Sequence, residues 1–158
     1  MKRYSLGLDF GTESVRALLV DVDSGEPAGE KLYEYPHGVL DETLPHNASI
    51  ALGDDWFLQD PRDWIEGLRR IVPAVREQSG ARPEEVIGIG LDFTSCTLLP
   101  TDRDGTPLCT KGEFRDDPQA WAKLWKHHGA AREALRIQQV AEERGEPFMD
   151  YFAHAISS

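Results

Sequence analysis

Short apolar runs separated by glycine-bearing turns open the chain, so the pattern predicts strands before any helix. Tyr4 to Asp9 and Val15 to Asp21 are apolar, β-branched runs on either side of a turn containing Gly11. Asp23-Ser24-Gly25 marks a second turn, and Glu30 to Tyr35 can form a third strand. Together they predict an antiparallel three-strand meander. After a polar loop with Pro36, Pro45 and Gly53, the apolar period changes. Trp64, Leu68, Ile71, Val72 and Val75 recur at helical spacing. Gln59-Asp60-Pro61 opens that helix: Asp60 is a good N-cap, Pro61 suits the first helical position, and Asp63 favours the positive end. Gly80 ends it, and Pro73 inside the pattern predicts a kink or break.

Val86 to Phe93 is nearly continuous in apolar residues, which suits the buried centre of a sheet. Reaching it through a helix after the meander predicts a parallel crossover beside the first strand. Thr97 to Pro100, a turn at Asp102-Arg103-Asp104-Gly105 and two helices follow. The first helix takes Asp117 as N-cap and Pro118 in its first turn. It carries an apolar stripe at Trp121, Leu124 and Trp125, and stops at Gly129. The second runs from about Ala131 to Glu143 and stops at Gly145. Phe148 to Ser158 shows no closing element. The order β-β-β-α-β-α describes an α/β sheet with an antiparallel side, and it resembles the ribonuclease-H-like fold of the actin-type ATPases.

Composition narrows the class. The 158 residues fit one domain, with 40% hydrophobic and 28% charged residues as in ordinary globular chains. A net charge of −11 repels nucleic acid and anionic membranes, so neither is expected as the main partner. No run approaches the ~20 apolar residues of a membrane span, and Met1-Lys2-Arg3-Tyr4 leads into a strand rather than a signal-peptide core. A cytoplasmic location is expected, with Cys96 and Cys109 reduced and inert. The five histidines show no metal-binding spacing, and Asn47-Ala48-Ser49 reads as an incidental sequon in a polar loop.

Candidate chemistry lies in Gly7-Leu8-Asp9-Phe10-Gly11-Thr12-Glu13-Ser14-Val15-Arg16. A carboxylate at the end of a buried strand needs a cation, and a Mg²⁺ escorting ATP is a suitable one. Gly11 permits a tight turn whose N–H groups can face phosphate oxygens. Thr12 and Ser14 add hydroxyls and Arg16 a positive charge. The other reading is a plain β-hairpin turn. The P-loop pattern is absent. Asp21-Val22-Asp23-Ser24-Gly25-Glu26 begins like a calcium loop, but Gly25 falls at a ligand position and no helix precedes it. Gly7-Leu8-Asp9-Phe10 recurs as Gly90-Leu91-Asp92-Phe93, each copy before a turn bearing Thr or Ser. If the two strands are neighbours, one turn can hold phosphate and the other the acceptor.

Five stretches carry a wider resemblance: Gly7 to Ala17, Tyr35 to Val39, Trp56 to Pro61, Ile87 to Pro100 and Trp121 to His128. In this order they resemble the N-terminal part of the FGGY carbohydrate kinases, and within these the ribulokinases. The resemblance implies transfer of the ATP γ-phosphoryl group to the C5 hydroxyl of L-ribulose. Carried over by position, Asp9 serves Mg-ATP, directly or through water, Gly11 and Thr12 the phosphates, and Ser14 and Arg16 the surrounding shell. Phe93, Thr94 and Ser95 align with a sugar-contacting turn. Trp125 walls the sugar or packs in the core with Trp121 and Leu124; Phe93 is likewise either contact or core. Family members are several times longer. The resemblance therefore implies an incomplete N-terminal lobe over 1–158, inactive alone, with the catalytic base and adenosine site beyond residue 158. Its partners would be the rest of the kinase chain and, in a homodimer, a second copy. A kinase for another pentulose or pentitol, or a non-catalytic module on the same fold, are the alternatives.

Overall fold

The computed structural model describes residues 2–157. Its elements in chain order are β1 (Tyr4–Phe10), β2 (Ser14–Asp21), β3 (Pro27–Glu34), β4 (Thr43–Leu44), β5 (Asn47–Ala51), β6 (Leu58–Gln59), α1 (Pro61–Ser79), β7 (Val86–Phe93), β8 (Ala122–Lys123) and α2 (Ala131–Arg144). The main sheet has the order β3-β2-β1-β7. β1 pairs antiparallel with β2 and β2 with β3, as the meander predicts, while β7 joins β1 in parallel after the α1 crossover.

Strand alternation decides which face is covered. Tyr4, Leu6 and Leu8 of β1 and Val15, Ala17 and Leu19 of β2 are buried on one face. Ile71 and Val75 of α1 close over them, with Trp64, Leu68 and Val72 at the margin. Asp60 caps α1, its carboxylate accepting from the Arg62 N–H at 2.9 Å, and Gly80 ends it at φ 68°. The helix continues through Pro73 without the expected break. Pro73 lies on the exposed side, where water can satisfy the Arg69 carbonyl that its missing N–H leaves free.

Two larger expectations also fail. β7 is not the buried centre of the sheet but its edge, because α1 lies over β2 and β3. Leu91 is 64% and Phe93 68% exposed. The continuous apolar run records a strand suited to cover on both faces, which the described residues supply only in part and only at Val86. The helix expected after Asp117 also fails. Asp117 does cap, but only a single 3₁₀ turn, Pro118–Ala120, before the chain extends into β8 and pairs with β6. Trp121 and Ala122 are both fully buried, and the backbone of Ala122 and Lys123 pairs with Gln59 and Leu58, which a helix would preclude. Trp121 stacks on His46 at 5.8 Å, lies under the Arg62 guanidinium at 5.9 Å, and joins a second core with Leu40, Leu44, Leu58 and Cys109. Burial pushes the Cys109 thiol up to about 11, and both cysteines are free.

Smaller points follow the sequence more closely. α2 and its Gly145 stop match expectation. Asn47-Ala48-Ser49 lies in β5, paired with β4, rather than in a loop. The final segment forms a 3₁₀ stretch at Pro147–Phe152, and its last residue, Ser158, lies outside the described residues. No helix is long and apolar enough to cross a membrane among the described residues.

Gly67 is the point of closest approach between α1 and the sheet: a Cβ there would stand 2.5 Å from Val15 Cγ1 and 3.2 Å from the Tyr33 ring. In an exposed helix, Gly→Ala gains up to ~1 kcal/mol, but forced overpacking costs about 1–3 kcal/mol. Gly67→Ala is therefore expected to destabilise the protein despite its better propensity, read as a lower midpoint in denaturant unfolding.

Candidate functional site

The repeated tetrapeptide turns out to be paired with itself. In the β1–β7 register Gly7 faces Gly90, Leu8 Leu91, Asp9 Asp92 and Phe10 Phe93. Both strands therefore end at the same level, and their turns leave one sheet edge together. The Thr94 N–H donates to the Phe10 carbonyl at 3.2 Å, tying the second turn to the first strand. Asp9 and Asp92 stand side by side on the face opposite α1. Gly7 and Gly90 place no side chain beside them, which leaves an open trough of about 390 Å³ also lined by Arg16 and Leu18. Asp9 is consequently exposed, not desolvated at the end of a buried strand as its sequence context suggests. Arg16 lies opposite Asp9 in the β1–β2 register and pairs with Glu30 at 3.3 Å.

The turn after β1 is closed by the Gly11 N–H donating to the Ser14 carbonyl at 2.8 Å. A Cβ on Gly11 would stand 3.3 Å from that same oxygen, so close approach rather than an unusual φ explains the glycine. Between them, Thr12 is contacted twice from elsewhere in the chain. The Gln59 side chain donates through Nε2 to the Thr12 carbonyl at 2.5 Å, and Trp125 Nε1 donates to the Thr12 hydroxyl at 3.2 Å. The Tyr35 N–H donates to the Glu13 carbonyl at 2.8 Å.

The turn after β7 is built on a bond between the Thr94 and Thr97 hydroxyls at 2.9 Å, with Cys96 in the left-handed region at φ 63°. A cleft of about 230 Å³ separates the two turns, lined by Gly11, Gln59, Trp64, Phe93, Thr94 and Thr97. The structure thus gathers Gly11, Thr12, Phe93, Thr94 and Trp125 of the sequence-predicted set. Ser95 sits at the exposed tip of its turn, and Arg16, paired with Glu30 at the surface, lines the trough beside Asp9 rather than this cleft. Phe93 is not core. Neither is Trp125, which is 55% exposed and follows a strand instead of a helical stripe.

Trp125 is held from behind. The Leu124 N–H donates to the Phe57 carbonyl at 3.0 Å, and the Phe57 N–H donates to His127 Nδ1 at 3.2 Å. Burial, then Lys123 and His128, hold the His127 pKa below its ordinary value, which suits an imidazole that must accept. Beneath the cleft, the fully buried Asp60 receives Arg62 Nε at 2.8 and 3.0 Å on its two oxygens. Asp63 accepts from both the backbone N–H and Nδ1 of His37, at 3.1 and 2.8 Å.

Sequence reasoning missed Gln59, which looked like a residue preceding a cap, and the His37–Asp63 pair. Their signal is three-dimensional: a polar residue 2% exposed shows its role only once β6 and β8 are paired.

No family model matches the chain. It is 47% identical over 156 residues to the ribulokinase of Halalkalibacterium halodurans, covering 99% of this chain and 28% of that protein. To the ribulokinase of Geobacillus thermodenitrificans it is 50% identical over 157 residues, again 99% and 28%. The ribulokinase of Mycolicibacterium smegmatis is 44% identical over 156 residues, with the same coverage. The chain therefore spans little more than a quarter of the length of these curated relatives. Among solved structures, a kinase of Brucella ovis (named a xyloylose kinase) superposes with a TM-score of 0.61 at 29% identity, over 90% of this chain and 25% of that one. The xylulose kinase of Rhodospirillum rubrum gives 0.62 at 19% identity over 95% and 25%, a likeness of fold alone. Over nearly its whole length the chain is therefore similar to part of the proteins named ribulokinase, and its fold is similar to that of solved sugar kinases.

Proposed function

We propose that this chain is the first part of the N-terminal lobe of an ATP-dependent kinase that phosphorylates L-ribulose on its C5 hydroxyl. The observation that carries this reading is the register of β1 with β7, which brings the Thr12 turn and the Thr94 turn to one edge. A phosphate donor at one turn and a sugar at the other would meet across the cleft. Identity of 44–50% to three proteins named ribulokinase supports the sugar. An antiparallel hairpin side followed by a parallel strand also supports the ribonuclease-H-like reading of the sheet.

The residues fit Mg-ATP. Asp9 and Asp92 are adjacent carboxylates facing open space, and a Cβ at position 90 would meet nothing within 4 Å. Among the described residues no cluster of three metal-ligating side chains forms, so a hydrated cation brought in by phosphate suits Asp9 better than a resident ion. When bound, Mg²⁺ neutralises charge on the phosphoryl oxygens. The chain's own contribution is orientation. Asp9 receives the hydrated cation, Gly11 and Thr12 meet the phosphates, and Ser14 and Arg16 complete the polar surroundings. Phe93, Thr94, Ser95 and Trp125 face the sugar, with the Trp125 ring as a wall. A general base for the acceptor hydroxyl is expected outside 1–158, so the positioning that phosphoryl transfer needs is only half present here.

Three measurements test this reading. A kinase-length protein carrying this chain should turn over L-ribulose faster than D-xylulose or ribitol, whereas preference for either of the others would reassign the substrate. The 158 residues alone should form no ADP with L-ribulose, and robust turnover would remove the need for a second lobe. In the longer protein, Asp9→Ala should lower kcat by about 100-fold or more, as for loss of one electrostatic partner of the transition state. The KM for L-ribulose should stay within about threefold; wild-type turnover in a coupled ADP assay would refute the role given to Asp9.

A further inference from the structure

The Thr12–Glu13 turn is not specified by its own residues. Two-residue connections between antiparallel strands favour turns with positive φ, usually supplied by Gly, Asn or Asp. Neither Thr12 nor Glu13 has positive φ, and a β-branched threonine resists it. The conformation is imposed from outside. Both turn carbonyls accept from donors beyond the hairpin, Thr12 from Gln59 Nε2 at 2.5 Å and Glu13 from the Tyr35 N–H at 2.8 Å.

We propose that Gln59 is a positioning residue that sets this turn for nucleotide binding, a role that rests on the assignment of Asp9 to Ser14 to Mg-ATP. Peptide units are planar and trans, so N–H and C=O point opposite ways. Anchoring the Thr12 carbonyl on Gln59, which is 2% exposed, directs the Glu13 N–H away from the protein interior, to the side from which a phosphate can approach. Gln59 is suited to this task because it has little freedom itself. Its backbone pairs with Ala122 in the β6–β8 ribbon, and the next residue caps α1. Only its amide nitrogen can donate to a carbonyl, so the orientation of the side chain is chemically fixed. The same ribbon leads into Trp125, whose Nε1 reaches the Thr12 hydroxyl at 3.2 Å. One two-stranded ribbon thus holds Thr12 by its main chain and its side chain, and joins the wall of the sugar site to the phosphate turn.

The test uses a kinase-length protein with two substitutions. Gln59→Met keeps the length and loses the donor, while Gln59→Glu can donate only when protonated. Hydrogen exchange is followed in peptides containing Gly11 and Tyr35, with α1 as the control for global unfolding, alongside binding of a non-hydrolysable ATP analogue. In Gln59→Met, exchange at Gly11 and Tyr35 should accelerate while α1 stays protected. The nucleotide Kd should rise about tenfold, as for one lost hydrogen bond, and the KM for L-ribulose should move less than about twofold. In Gln59→Glu, affinity should recover as pH falls from about 8 to about 6, because the protonated acid regains the donor. Unchanged exchange at Gly11 and Tyr35, a wild-type nucleotide Kd, or a Gln59→Glu variant as insensitive to pH as Gln59→Met would each overturn the proposal. If α1 also loses protection in Gln59→Met, the pH response of Gln59→Glu decides alone. A wild-type protein that binds no nucleotide would instead defeat the functional reading, and the exchange data would then still report whether Gln59 holds the turn.

Discussion

Parallel pairing of β1 with β7 is the constraint on which the site depends. It has no tolerance for slippage: displacing β7 by one residue would turn Asp92 to the α1 face and bring Leu91 or Phe93 opposite Asp9. The register is held at its far end by the Thr94 N–H on the Phe10 carbonyl. On the near side the irregularity between Tyr4 and Ser5 takes up the mismatch as the chain enters from the 3₁₀ turn at Pro83–Glu85. Everything proposed about phosphate and sugar follows from two turns being delivered to one edge.

The meander, the capped helix and the parallel crossover were legible in the sequence because each is a local pattern: alternation, N-cap chemistry at Asp60, and an apolar run after a helix. The repeat of Gly-Leu-Asp-Phe was legible too, although only the register gives it meaning. What failed was burial. An apolar run such as Val86 to Phe93 states what a strand would prefer on its faces, and says nothing of whether other elements provide it. Trp121, Leu124 and Trp125 have helical spacing, yet β6 offered backbone partners to Ala122 and Lys123, and tertiary pairing overrode the local preference. At the candidate site, glycine and hydroxyl residues announced a turn, whereas Gln59 stayed hidden because a long-range hydrogen bond leaves no trace in spacing.

The two cores divide the labour. The first, under α1, fixes the sheet; the second, around Trp121 and Leu58, fixes the ribbon. Asp60 lies at their junction, starting α1 while its neighbour Gln59 reaches back to Thr12. The turn is therefore referenced to both cores at once, and a shift of either against the other would be felt at Thr12 before it was felt in the strands.

The open outer edge of β7 has a consequence of its own. A strand whose outer side has no partner among the described residues, and which displays Ile89, Leu91 and Phe93, combines free backbone donors and acceptors with an apolar surface, and this is the combination by which chains recruit one another into intermolecular sheets. No proline interrupts Val86 to Phe93, and its one charge, Asp92, is at the far end. The two glycines weaken the strand's intrinsic preference for extension without blocking a partner's approach. In any molecule where nothing further covers it, this edge is adhesive, and solubility becomes a matter of how quickly it is covered.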